Sequence, residues 1–149
     1  MSLQTDRVFL AALQASSDIT ALVEDRIFPI AIPGSDEDVL NTPLPNLVVT
    51  FEGMTNNTET KDNPYQGDED KVNIGIEVAA ESPDDLTDLA ELVRQAVDSF
   101  VENYDPGEGE EDLTPIIPTG YDFSATEKGY DWLRPCYYMK LNYMCDTNI

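Results

Sequence analysis

The sequence switches sharply between two hydrophobic periods near Ser82. From Lys71 to Ala80, apolar and polar positions alternate. Val72, Ile74, Ile76 and Val78 fall on one side, and Asn73, Gly75 and Glu77 on the other. A period of two predicts a half-buried antiparallel strand, because successive strand side chains point to opposite faces. From Leu86 onward the period changes. Leu86, Leu89, Val93, Val97 and Phe100 recur at helical spacing, with Leu92, Ala96 and Val101 widening the stripe. The helix start is marked by Ser82 as N-cap, Pro83 at the first helical position and Asp84-Asp85 in the first turn. Asp105-Pro106-Gly107 ends it near Tyr104. Such a helix is expected to lie across a sheet and bury its apolar stripe.

The flanking patterns are weaker. Thr5 to Ala15 reads as a helix with a broad apolar face, and Ser16-Ser17-Asp18 break it and cap a second helix, Ile19 to Glu24. Arg26-Ile27-Phe28 begins an extended segment that Pro29 and Pro33 keep out of any central strand. Gly34 to Pro45 reads as a loop with Asp36-Glu37-Asp38 at its tip, and Leu47 to Phe51 as a strand. Gly53 to Asp70 reads as an extended hairpin arm or mobile loop ending in Asp68-Glu69-Asp70. Gly107 to Pro118 reads as an acidic loop holding Glu108, Glu110, Glu111 and Asp112. Ile117 to Ala125 is expected to be a strand and Lys128-Gly129 a turn. The last strand, Pro135 to Asp146, puts Tyr137, Met139, Leu141 and Tyr143 on one face. Tyr138, Lys140, Asn142 and Met144 take the other.

This order predicts an α+β fold, a small antiparallel sheet of about four strands with a long helix on one face and short N-terminal helices. A chain of 149 residues fits one domain, 1–149, with long loops at 53–70 and 105–118. It is long enough to bury a core without disulfides or metals.

Charge narrows the function. Thirty Asp and Glu face eight Lys and Arg, a formal net charge of −22. Such a surface repels phosphate, which argues against a sequence-specific reader of nucleic acid, and it repels anionic lipid. No apolar run is long enough to span a membrane, and Met1 to Asp6 lack the pattern of a signal peptide, so cytoplasmic synthesis is expected. A protein partner, a high-salt habitat or a surface that keeps nucleic acid from sticking remain.

Candidate chemistry is sparse. The chain has no histidine, which removes the commonest general base and excludes Ser-His-Asp and Cys-His systems. The glycines do not space as a phosphate loop. The acid clusters fail the calcium-loop ligand pattern at Asp62 and at Asp105, and nothing marks a glycosidase cleft. They read as solvated loop acids. No catalytic residue, cofactor or metal is therefore expected, and the chain is not expected to be an enzyme. Cys136 and Cys145 fall an odd distance apart in one predicted strand, on opposite faces and too far apart to bridge. Trp132 with Tyr130, Tyr137 and Tyr138 forms an aromatic cluster with few cations beside it, which suits core packing or a subunit interface better than base stacking.

Four stretches then carry a family resemblance. They are Asp18 to Pro29 behind the opening helix, the proline-led run Thr42 to Val49, Val72 to Val78 running into Ser82 to Leu86 and the long helix, and the closing strand Tyr137 to Tyr143. In this order the chain resembles the tail-terminator and tail-completion (head–tail joining) proteins of tailed bacteriophages. The loops 53–70 and 107–118 and the acidity depart from the family's usual pattern. The resemblance implies a structural virion protein, assembled in the host cytoplasm. It would form a homo-hexameric ring on the tail tube, contacting the tube protein, a neck, head-completion or connector protein, and a contractile sheath if present. DNA would pass through the bore. The candidate lumen-facing or interface acids are Asp36, Glu37, Asp38, Asp68, Glu69, Asp70, Glu108, Glu110, Glu111 and Asp112, since carboxylates offer phosphate no contact. The alternative is an acidic DNA mimic or inhibitor that occupies a basic partner's groove. Its acids would need a rigid array, whereas here they fall in predicted loops. Adaptation to high salt is a third reading of the acidity.

Overall fold

The structure is a computed structural model that describes residues 2–56, 70–105 and 112–147. Its frame is a five-stranded sheet in the order β1-β2-β3-β5-β4. The strands are β1 (Ile27–Pro29), β2 (Asn46–Asn56), β3 (Asp70–Ala80), β4 (Gly120–Asp131) and β5 (Cys136–Thr147). β1 runs parallel to β2, and the other neighbours are antiparallel. Helices α1 (Asp6–Ala15), α2 (Ser17–Val23) and α4 (Pro83–Glu102) supply the covering layer, and α3 (Asp36–Leu40) links β1 to β2.

The two hydrophobic periods meet in the core. Val72, Ile74, Ile76 and Val78 of β3 are buried, as are Met139, Leu141, Tyr143 and Cys145 of β5. In register, Ile76 sits between Val49 and Leu141, and Ile74 beside Tyr143. Onto this face α4 lays Leu86, Leu89, Ala90, Val93 and Val97, and α1 lays Val8, Phe9, Ala12 and Leu13. Each large aliphatic side chain so buried stabilises the fold by about 1.5–3 kcal/mol. Ser82 caps α4 by accepting from the Asp85 N–H at 3.1 Å. Phe9, Tyr121 and Phe123 surround the Tyr143 ring at centroid distances of 5.0, 5.3 and 5.2 Å.

Four sequence expectations need correction. The segment read as a loop from Gly34 contains α3, because Ser35 and Asp38 exchange hydrogen bonds in a capping box that nucleates a short turn of helix. The extended segment at Ile27 stays out of the sheet's centre, as its prolines require, but it pairs as an edge strand and makes the sheet five-stranded rather than four-stranded. β2 continues past Phe51 to Asn56 through a bulge between Phe51 and Gly53. Lys128-Gly129 is no turn: β4 passes through an irregularity between Thr126 and Gly129, where Glu127 takes a φ of 53°, and reverses at Trp132–Pro135. Looping out at Glu127 lets Lys128 reach Thr87 Oγ1 on α4, at 3.4 Å. Residues 57–69 of the predicted 53–70 loop or arm and 106–111 of the 105–118 loop lie outside the described residues. Of the latter, Thr114–Ile116 forms a 3-10 turn. Both cysteines are buried and free, on opposite faces of β5.

Candidate functional site

The predicted acids separate into three groups. Asp36, Glu37 and Asp38 stay together, all exposed in the first turn of α3, where a helix N-terminus favours negative charge. Asp38 is held in place. Its Oδ2 accepts from the Ser35 N–H at 2.9 Å and from the Ser35 hydroxyl at 3.0 Å. These bonds, the backbone one first, hold its carboxyl below the ordinary range. Asp112 is exposed but turned to its own loop, accepting from the Thr114 N–H and hydroxyl, with its pKa likewise lowered.

Asp70 departs from the picture of a solvated acid. It is buried at the head of β3, and its Oδ1 accepts from Asn56 Nδ2 at 2.7 Å across the β2–β3 pair. Asp68, Glu69, Glu108, Glu110 and Glu111 lie outside the described residues. Among the described residues, no group of three or more Cys, Asp and Glu is arranged to hold a metal. No described helix is long and apolar enough to cross a membrane, which says nothing of a β-barrel.

Two acidic surfaces were harder to foresee. The outer face of α4 exposes Asp84, Asp85, Asp88, Glu91, Asp98 and Glu102. The helical spacing of these acids was the available signal. The second surface is defined by where the cations go. Arg26 Nε donates to Pro45 O and its Nη1 to Glu24. Lys71 pairs with Asp146 at 2.6 Å and Lys140 with Glu52 at 2.5 Å. Arg134 Nη2 donates to the buried Asn46 Oδ1 at 2.8 Å, and Arg94 lies 4.4 Å from the Phe123 ring centre. The positive charges named here are engaged with groups of their own chain, so the field outside the described residues is mainly that of carboxylates.

Three exposed features suit contact with another protein. β4 is a twelve-residue edge strand, and its free backbone row is a template for pairing. The turn after it presents Trp132 and Leu133, which are 84% and 86% exposed. The aromatic cluster there is therefore split, with Tyr137 partly buried against the core and Trp132 left open. Ile30, at the end of β1, is 73% exposed with a φ of 71°. The Ala31 N–H donates to Pro29 O at 2.8 Å, closing a tight three-residue turn around it. A β-branched residue in this region stores strain, and such positions concentrate at functional sites. No local signal in the sequence marks Ile30, because isoleucine is disfavoured there.

One chain of a solved virion has this fold. The structure is described as the virion of a native gene transfer agent (GTA) particle. The match covers 97% of this chain and 94% of that one, with a TM-score of 0.60 and 14% sequence identity. At that identity the likeness shows a shared fold. No protein-family model and no curated protein matches the sequence.

Proposed function

We propose that this chain is a structural virion protein of a tailed, phage-like particle. In this reading it is a tail-terminator or tail-completion subunit that assembles with its own copies, in a hexameric ring, at the top of the tail tube. There it joins tube to neck while DNA passes through the bore. The observation that carries the reading is the near full-length fold match, 97% of one chain and 94% of the other, to a chain of the gene transfer agent virion. The surfaces agree with it in kind. A long free edge, an exposed Trp132–Leu133 turn and the strained Ile30 are features of a protein made to be covered. Its role is to bind neighbours, with no chemistry of its own. The Asp36–Glu37–Asp38 turn faces the bore, where carboxylates let DNA slide without phosphate contacts.

The deciding experiment is a mass measurement of the purified protein, alone and mixed with its tail-tube protein. A ring-sized species, or one that forms on the tube, is expected. A strict monomer that never joins the tube refutes the reading.

A second reading has one specific observation behind it. The acids of α4 form a rigid exposed row rather than a set of loop acids, as a DNA mimic would need. Such a protein would displace DNA from a basic DNA-binding partner. Tail assembly would proceed without it.

A further inference from the structure

Where β4 turns into β5, aromatic rings and carboxylates gather around a pocket of about 470 Å³. Its walls are Glu77, Tyr130, Asp131, Trp132, Leu133 and Tyr138. The walls are set before anything binds. Trp132 packs edge-on against Tyr130 with ring centres 4.6 Å apart, and Tyr130 packs in the same way on Tyr137 at 4.9 Å. Asp131 Oδ1 accepts from the backbone N–H groups of Leu133 and Arg134, which fixes the turn. Tyr138 lies across Gly129, where a Cβ would come within 3.1 Å of its hydroxyl oxygen. The Trp132 ring is thus braced along one edge while 84% of the residue stays open to solvent.

The charges around the pocket are unbalanced. Glu77 is exposed on the sheet face opposite the helices. Burial raises the pKa of the nearby Cys136 thiol, the Arg134 charge lowers it, and the smaller effects of Asp131 and Glu77 raise it again, so both carboxylates act on the same small region as that one cation. The cations within reach are engaged elsewhere. Lys140, the cross-strand partner of Glu77, gives its ammonium group to Glu52, and Arg134 turns to Asn46.

We propose that this pocket receives a cationic side chain, arginine or lysine, presented by a basic partner protein. The faces of Trp and Tyr attract cations, and the adjoining carboxylates accept charge-assisted hydrogen bonds. Charge complementarity selects the occupant. A chain of net charge −22 draws a basic protein toward it and repels a second copy of itself. The described cations of a second copy are, moreover, engaged within their own fold. The assembly reading supplies the setting in which such a partner is met, and the proposal rests on it for that alone.

Trp132 is the chain's single tryptophan, so its emission reports this pocket. The full-length protein is titrated at fixed ionic strength with acetyl-Gly-Arg-Gly-amide, its lysine counterpart, and the citrulline peptide as an uncharged isostere. A saturable change with the cationic peptides and none with citrulline is expected. Glu77→Gln should weaken binding about tenfold. Asp84→Asn removes the same charge from α4 and should leave binding within about twofold. The proposal is overturned if emission does not respond, if citrulline binds equally well, or if the two variants weaken binding alike. Peptide binding by a chain that remains a strict monomer beside its tube sinks the assembly reading and keeps the pocket. A chain that assembles but ignores the peptides does the reverse.

Discussion

Two neighbouring tyrosines should respond in opposite directions to the same deletion. Tyr143 is fully buried, and its hydroxyl oxygen has no hydrogen-bond partner among the described residues. Tyr121, 5.3 Å away, donates its hydroxyl to Asp98 on α4. Burial raises the pKa of both phenols. For Tyr121 the hydrogen bond to Asp98 adds to the rise, and for Tyr143 the Asp98 charge does. A buried hydroxyl left unpaired costs about 1–3 kcal/mol. Tyr143→Phe removes that cost and leaves a cavity of one atom, worth only a few tenths of a kcal/mol. The variant should gain about 1–2 kcal/mol, or roughly 2–8 °C in Tm for a domain of this size. Tyr121→Phe removes a bond to a carboxylate, worth about 1.5–3 kcal/mol when dry. The site is partly exposed, so solvent screening reduces the loss to about 0.5–1.5 kcal/mol. Urea unfolding of both variants measures the difference, with the m-value unchanged if only stability moves. A lower midpoint for Tyr143→Phe refutes the reasoning, because it would mean the hydroxyl makes a bond that holds the core.

Other consequences follow from the same structure. Ser82→Ala deletes the N-cap of the helix that covers the sheet and should cost about 1 kcal/mol in urea unfolding. Both thiols should resist a thiol reagent at neutral pH and react fully in denaturant, because burial pushes Cys145 up to about 12 and raises Cys136 as well. Lys140 has a raised pKa, first through its hydrogen bond to Glu52. The pair's contribution is therefore complete below the unfolded lysine value and fades as pH rises through the folded one. Lys140→Met should remove that alkaline component from a stability-versus-pH curve. Association between copies of this chain should strengthen as salt rises from about 0.01 to 0.15 M, as the Debye length falls from about 30 to 8 Å. Binding to a basic partner should weaken over the same range. Light scattering and titration calorimetry at both salts give the two signs.

The strong periods were legible because each satisfies a single demand. The alternation in β3 and the stripe of α4 need only one face buried, and both elements lie within a few residues of their expected bounds. The misses share a different cause. α3 is five residues long and exposes its acids, so no apolar stripe announces it, and only the Ser35–Asp38 cap does. The three residues of β1 become a strand by pairing with Leu47 to Val49, a contact that no local window contains. Lys128-Gly129 has turn-like composition. The glycine instead lies inside β4, where the Tyr138 ring passes close to it. At the candidate site, the Asp36–Asp38 cluster could be read directly. That Asp70 is buried against Asn56, or that the exposed aromatics meet Glu77, depends on strand register, which the sequence alone did not set.

The charge and the fold together constrain where this protein can touch anything. A net charge of −22 makes most of the surface repel like copies at long range. Neutralising it from within is not how the chain uses its cations. Arg26 ties α2 to the segment before β2, Arg134 ties the β4–β5 turn to Asn46, and Lys140 ties β5 to the β2 bulge. They act as clamps between elements, and the acids outside stay uncompensated. Contacts with other copies must then come from surfaces where backbone or apolar groups supply the attraction. In the proposed ring those are the free edge of β4 and Ile30. Each belongs to a strand or a strand end. The acids of α3 and α4 sit on helices that can stay in solvent or face a polyanion without binding it. Binding is thus assigned to the sheet's ends and edge, and repulsion to the helices. An arrangement of that kind lets one small chain be held firmly by neighbours on some sides while remaining inert on others.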